Sequence, residues 1–265
     1  MPSFLCPCAT WRTNTGNPQS SCGYCIICVY NKKSMNFSEF IFSYNQIKTH
    51  GFIKSHRKGD GGVGNTFEQE LGLTENCISG PDIEGIELKT ARKGASGKQT
   101  LFTKEGKWQI GQLKFIEQYG FPHNKYSDEM SAQSTVTKNK NNRGFWIYTS
   151  DEYVAIKHDE LEIVKWDWDS LIDQFAHKFP ACVKVFADVQ KRDGVEYFHY
   201  NEAYIYTGTD KNLFRKAIED DIISIDLRLR TQYNIGSGNG VRNRGTAFRI
   251  NHNNMDKLFI KEVLE

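Results

Sequence analysis

Residues 80–90 read Gly-Pro-Asp-Ile-Glu-Gly-Ile-Glu-Leu-Lys-Thr, and they constrain the fold more than any other stretch of the chain. Ile86-Glu87-Leu88-Lys89 alternates apolar and charged residues with a period of two, which predicts a strand. Successive side chains on a strand point to opposite faces, so Glu87 and Lys89 share one face and Ile86 and Leu88 the other. Such a strand needs an apolar core on one side and a polar space on the other. Pro81 and Gly85 punctuate it and place Asp82 across the Gly85 kink, close enough to aim its carboxylate at the same point. Two converging carboxylates make a hard-oxygen site suited to Mg²⁺, and the Leu88 carbonyl is a further oxygen donor. Lys89 then stands beside the ion, where its charge orients or activates a water. The Glu-x-Lys pattern alone is weak, because Glu105-Gly106-Lys107 repeats it. A charged surface hairpin is the competing reading.

The rest of the chain alternates helical and strand patterns with no internal repeat, which predicts a mixed α/β fold. Phe37, Phe40, Ile41, Tyr44 and Ile47 have helical spacing over residues 35–50. Gly59 to Gly64 reads as a loop, after which Thr66 is the expected cap of a second helix ending near Gly72. Glu68 opens that helix, either as an additional carboxylate for the metal or as an ordinary first-turn acid stabilised by the helix dipole. Leu101-Phe102-Thr103 reads as a strand neighbouring the charged one. Residues 124–143, rich in Ser, Asn and Lys, read as a long loop or hinge. Strands are expected at 144–149, 153–157, 161–166, 183–189, 197–205, 223–229 and 246–250, with Arg192-Asp193-Gly194 as a hairpin turn. Helices are expected at 168–179 and 210–219, the second capped by Asp210, and a flexible loop at 236–245. Trp166 and Trp168 are expected in the core. The expected organisation is an N-terminal extension (1–34), a catalytic lobe (35–123), the hinge (124–143), and a last segment (144–265) with the remaining core strands and a recognition lobe.

Charged residues make up 25% of the chain and apolar ones 38%, the balance of a soluble globular protein. No apolar run approaches the roughly 18 residues of a membrane helix, and no secretory signal is visible, so the expected location is the cytoplasm and no membrane partner is expected. A net charge of +2 says little about partners, but its distribution says more. Arg228, Arg230, Arg242, Arg244 and Arg249 crowd the stretch up to Arg249, with Asn243 among them. His56-Arg57-Lys58 precedes the glycines. Arginines among Gly and Asn suit phosphate and base-edge contacts; a solvated basic face is the alternative. Of the seven cysteines, Cys77 and Cys182 are isolated. Cys6, Cys8, Cys22, Cys25 and Cys28 have workable spacings for a structural Zn²⁺. The rival reading treats residues 1–34 as no functional part of the protein, with Met35 as the true start.

Four segments taken in order resemble the MvaI/BcnI family of Type II restriction endonucleases, relatives of the MutH mismatch-repair nicking enzyme. They are Gly62-Val63-Gly64-Asn65-Thr66-Phe67-Glu68, Pro81-Asp82 with Ile86-Glu87-Leu88-Lys89-Thr90, Leu101-Phe102-Thr103-Lys104, and Gly245-Thr246-Ala247-Phe248-Arg249-Ile250-Asn251. The likeness runs from about Met35 to the end. It implies a PD-(D/E)XK core with catalytic and recognition lobes clasping double-stranded DNA. It also implies a monomer that nicks one strand and then the other, with a cognate DNA methyltransferase as genetic partner. On the same resemblance Asp82 and Glu87 are the metal ligands and Lys89 the catalytic lysine.

The chain departs from the family at Arg242-Asn243-Arg244, where members carry a histidine-rich triplet, and in its first 34 residues. Arginine reaches guanine O6 and N7 bidentately and asparagine reads adenine, so the target sequence is expected to differ. Arg228 and Arg230 either contact DNA or edge a sheet, and Arg249 has a structural alternative. Lys58 and Lys104 are candidate phosphate contacts, which position without specifying. Two other functions remain: a MutH-like nickase that needs a repair partner, and a non-catalytic DNA-binding protein with a zinc-bearing N-terminus.

Overall fold

An amphipathic helix opens the part of the chain that the computed structural model describes, residues 35–73, 83–232 and 240–265. In α1 (Phe37–Thr49) the Asn36 side chain accepts from the Glu39 amide at 2.9 Å while the Glu39 carboxylate accepts from the Asn36 amide at 3.0 Å. This reciprocal capping fixes the start, and Phe40, Tyr44 and Ile47 form the buried face. After β1 (Ile53–Lys54) comes α2 (Gly62–Glu70), which starts four residues before the expected cap. Thr66 is an interior, fully buried helical residue whose hydroxyl accepts from the His56 amide at 3.0 Å. Gly62 begins the helix because a Cβ there would stand 2.5 Å from the Arg57 carbonyl oxygen and 2.8 Å from Ser55 Oγ. The glycine permits a close approach instead of loosening a loop.

The charged strand is β2 (Glu87–Arg92). Beyond it follow β3 (Lys98–Thr103), β4 (Lys107–Trp108), α3 (Gln112–Tyr119), β5 (Phe121–Pro122), β6 (Met130–Val136), β7 (Phe145–Thr149), β8 (Tyr153–His158), β9 (Leu161–Asp167) and α4 (Trp168–Lys178). Next are β10 (Cys182–Arg192), β11 (Val195–Thr207), α5 (Lys211–Glu219), β12 (Ile223–Thr231), β13 (Val241–Asn243), β14 (Ala247–Asn251), a 3-10 turn (His252–Lys257) and β15 (Ile260–Val263). Among the described residues, no helix is long and apolar enough to cross a membrane.

Three sheets result. The first runs β1-β11-β10-β2, with β15 also on β11. Its β10–β11 hairpin turns at Asp193 (φ 50°) and Gly194 (φ 76°), the paired positive values of the two-residue turn that matches strand twist. The edge strand β2 runs parallel to β10, with Glu87 beside Cys182 and Lys89 beside Lys184. A parallel neighbour demands a long crossover, and here the crossover, residues 93–181, carries much of the second lobe. The second sheet runs β3-β14-β12-β6-β5 with β13 on β12, and the third β4-β9-β8-β7.

Two apolar cores match this division. In one, Phe40, Phe67, Leu88, Val183, Val185 and Tyr200 pack α1 and α2 on one face of the first sheet. In the other, Phe102, Phe115, Trp166, Phe175, Phe214 and Phe248 join the remaining sheets and helices. Trp166 and Trp168 are both core residues, as expected. Two expectations are corrected. The strand at 98–103 pairs with β14 in the second sheet and does not neighbour β2. The polar stretch 124–143 contains β6, a full partner of β12, because Ala132 and Val136 supply its inner face while Gln133 and Thr135 face water.

Gly62→Ala should lower the unfolding free energy by about 1–3 kcal/mol, the range for overpacking against backbone that cannot yield. Urea denaturation measures it, and an unchanged midpoint would refute the close-packing role.

Candidate active site

Glu87 is the most deeply buried acid of the charged strand, at 1% exposure. Its position follows from register: the Glu87 amide donates to the Ala181 carbonyl at 2.9 Å, so its peptide faces β10. The next peptide, with the Leu88 carbonyl, therefore faces the outer edge. Lys89 Nζ pairs with Glu87 Oε1, two residues along on the same strand face. Lys178 Nζ, from the last turn of α4, stands 2.9 Å from Oε2. The contact is an ion pair, and Oε2 takes no hydrogen bond among the described residues. A buried carboxylate is tolerated here because two ammonium groups face it.

Glu68 reaches the same strand from α2. A Cβ on Gly64 would stand 3.1 Å from Thr90 Oγ1 and 3.9 Å from Glu68 Oε1, so the missing side chain leaves these two oxygens room at the edge of β2. Arg92, at the end of β2, donates to the carbonyls of Asp60 (3.1 Å) and Gly59 (3.2 Å) and pairs with Glu196, fixing the glycine-rich loop to the sheet. Lys58 is exposed on that loop. Asp82 lies outside the described residues.

The donors present are hard oxygens: the carboxylates of Glu87 and Glu68 and the Leu88 carbonyl. This set of carboxylate and carbonyl oxygens fits a divalent cation of the Mg²⁺ type. Among the described residues, no three Asp, Glu, His or Cys side chains converge on one point, so a full coordination sphere requires further oxygens. The five cysteines expected to hold zinc, Cys6, Cys8, Cys22, Cys25 and Cys28, and also Cys77, lie outside the described residues. Cys182 is fully buried, and its thiol donates to the Val183 carbonyl at 3.6 Å.

Lys184 lies beside Lys89 in register, fully buried, and bonds His252 Nδ1 at 2.6 Å. Burial pulls the Lys184 ammonium down to about 8. Burial, followed by the charges of Lys184 and Arg249, pulls His252 down to about 4. With Nδ1 accepting from an ammonium, His252 is held as the neutral tautomer with its proton on Nε2.

The arginines gather on the second sheet. Arg228 and Arg230 share a face of β12, and Arg242 on β13 stands opposite Arg230. Arg228 donates to the carbonyls of Gly245 (3.0 Å) and Arg244 (2.9 Å), and burial lowers its pKa from the usual guanidinium value. Arg230 pairs with Glu129, while Arg242 and Arg244 are exposed. Asn243 donates to Glu105 at 2.7 Å and accepts from the Gly245 amide at 2.7 Å, so its side chain fixes the loop. Arg249 turns inward to Asp226 (2.7 Å) and the Lys98 carbonyl (2.5 Å). Lys104 is partly buried, its main chain held between Thr246 and Trp166. A cleft of about 260 Å³ opens over Arg228, Arg230, Arg242 and Arg244.

Lys178, Lys184, His252 and Glu129 escape sequence reasoning. Lys184 interrupts the apolar run Val183, Val185, Ala187, which is a signal of burial with a partner, but its partner is 68 residues away.

A model of the MvaI/BcnI restriction endonuclease family matches residues 41–259. The structure of restriction endonuclease MvaI with its cognate DNA substrate aligns with a TM-score of 0.73 at 25% identity, over 88% of this chain and 100% of that one. MvaI in the absence of DNA aligns at 0.51 with the same identity and coverage. A search of curated protein sequences finds no significant match. The mixed α/β fold, with an acid and a lysine on a buried edge strand, is that of a restriction endonuclease. The chain belongs to the MvaI/BcnI restriction endonuclease family, and it is a site-specific nuclease acting on DNA.

The depressed His252 pKa has a sign. Between its ordinary value of 6.5 and about 4 the unfolded chain binds more protons than the folded one. Stability from this group is therefore fully present above about 6.5 and is lost as the pH falls towards 4. Urea unfolding across that window should show the loss, and His252→Gln should flatten it. Equal pH dependence in both proteins would contradict the buried neutral histidine.

Proposed function

We propose that the chain hydrolyses DNA phosphodiester bonds at a short specific sequence with Mg²⁺ as cofactor, in a restriction–modification system with a cognate DNA methyltransferase. The observation that carries this reading is the buried Glu87 carboxylate paired with Lys89 at the edge of β2. Asp82, Glu87 and the Leu88 carbonyl are the ligands, and Glu68 is an additional carboxylate. A bound divalent ion there lowers the pKa of its water and neutralises charge on the phosphate. Lys89, held against Glu87, orients the attacking water and meets the negative charge that grows on the phosphate oxygens. Lys178 fixes the other arm of Glu87 and leaves its carboxylate one orientation.

Double-stranded DNA as the ligand is supported by the cognate complex of MvaI and by the basic cleft. The first sheet with α1 and α2 builds the catalytic lobe, and Arg242 and Arg244 contact base edges in the recognition lobe. Arg228 and Asn243 form the floor and loop that hold them, and Arg230 lines the same cleft. Lys58 and Lys104 contact phosphates, and Arg249 braces the recognition sheet through Asp226. The enzyme acts as a monomer, cutting one strand and then the other.

A supercoiled plasmid incubated with Mg²⁺ should become linear with ends at one sequence, and removal of the ion by a chelator should stop the reaction. Persistent nicked circles would indicate a strand-nicking enzyme, and an intact plasmid would refute nuclease action. Lys89→Ala should abolish cleavage while specific binding survives; wild-type rates in that variant would overturn the lysine's role. Arg244→Ala should cost about 1–3 kcal/mol of discrimination at one position if the arginine grips a guanine. Identical cleavage of cognate and near-cognate sites by wild type and variant would count against it.

A further inference from the structure

Beside the recognition cleft, paired with the lining residue Arg230, stands one acid that the reading above leaves without a role. Glu129 comes from the segment between β5 and β6, and its carboxylate pairs with Arg230, each side chain only 11% exposed. Its backbone is fixed by a tight turn: the Glu129 amide donates to the Tyr126 carbonyl at 3.1 Å, and its carbonyl accepts from the His123 amide at 2.8 Å. The Arg230 guanidinium lies over the Tyr126 ring, 4.8 Å from its centroid, which limits its swing. Arg230 Nε is buried with no hydrogen bond. Among the described residues Glu129 Oε2 takes the Arg230 bond, and no hydrogen bond to Oε1 is formed.

A carboxylate beside a cleft of arginines repels phosphate, so attraction to the DNA backbone does not account for it. Base edges do offer it a partner. In the major groove a G·C pair presents two acceptors, guanine N7 and O6, followed by one donor, the cytosine N4 amine. An arginine beside a carboxylate presents the complementary series of two donors and one acceptor. An A·T pair fits less well, because its single donor lies between two acceptors.

We infer that Glu129 is a specificity-determining residue, accepting from the cytosine N4 amine of a G·C pair whose guanine is held by Arg230. The inference rests on the endonuclease reading above and names one base pair of its target. Glu129 sets which pair is read, Tyr126 holds the guanidinium in plane, and Arg228 is kept in place by its backbone carbonyls.

The test uses the full-length protein and the sequence it cuts. Each cytosine of a synthetic duplex is replaced in turn by pyrimidin-2-one, which lacks the N4 amine, and cleavage is timed with Mg²⁺. One replacement should slow wild-type cleavage by about tenfold or more, the scale of one lost base-edge contact. Glu129→Ala should be insensitive to that same replacement. On a library randomised over the site it should lose its preference at that one pair while retaining the others. Glu129→Gln keeps the size of the side chain and serves if the alanine variant does not fold; its preference at that pair should also weaken. A uniform loss of rate on all sequences, with base preferences unaltered, would show a merely structural role and overturn the inference. No cleavage of any DNA by the wild type would instead overturn the endonuclease reading itself.

Discussion

A carboxylate buried at the edge of a sheet organises the half of this molecule built on the first sheet. An ionised acid at 1% exposure costs several kcal/mol unless opposite charge meets it. Glu87 is met from two directions, by Lys89 on its own strand and by Lys178 at the end of α4. The second partner ties the site to topology. α4 ends four residues before β10 begins, and β10 is the strand on which β2 lies. The element that completes the pair also delivers the chain to the sheet that buries it.

The same parallel pairing explains the separation into two apolar cores. A strand that must lie parallel to β2 cannot follow it directly, and the chain between Arg92 and Cys182 departs to build strands and helices of its own. Those elements, with β12 to β14, form the surface on which the arginines stand. Arg228 is immobilised by two backbone carbonyls and Arg230 by Glu129 and Tyr126, so the cleft is built before any ligand arrives. Pre-set donors need less ordering on binding, which favours selective contact over loose attraction.

Backbone contacts join β2 to what precedes it. Arg92 holds two carbonyls of the glycine-rich loop, and Gly62 and Gly64 let that loop and Glu68 close on β2. Across the strand face, Lys184 and His252 satisfy one another in a place where either alone would be costly.

Local pattern was sufficient wherever one element's own periodicity carried the information. The two-residue alternation at 86–89 placed Glu87 and Lys89 on one face, and the 3.6-residue spacing gave α1. The Asp193-Gly194 pair gave the hairpin. The ordered motifs named the family. Sequence misjudged segments whose role depends on a distant partner. β6 reads as a polar loop until β12 lies beside it, and Gly62 reads as slack until the Arg57 carbonyl closes on it. Lys178, Lys184 and Glu129 acquire meaning only from Glu87, His252 and Arg230, at separations of 91, 68 and 101 residues. Charge pairing across such distances leaves no periodic trace in the chain, because burial and proximity are properties of the packed sheets alone.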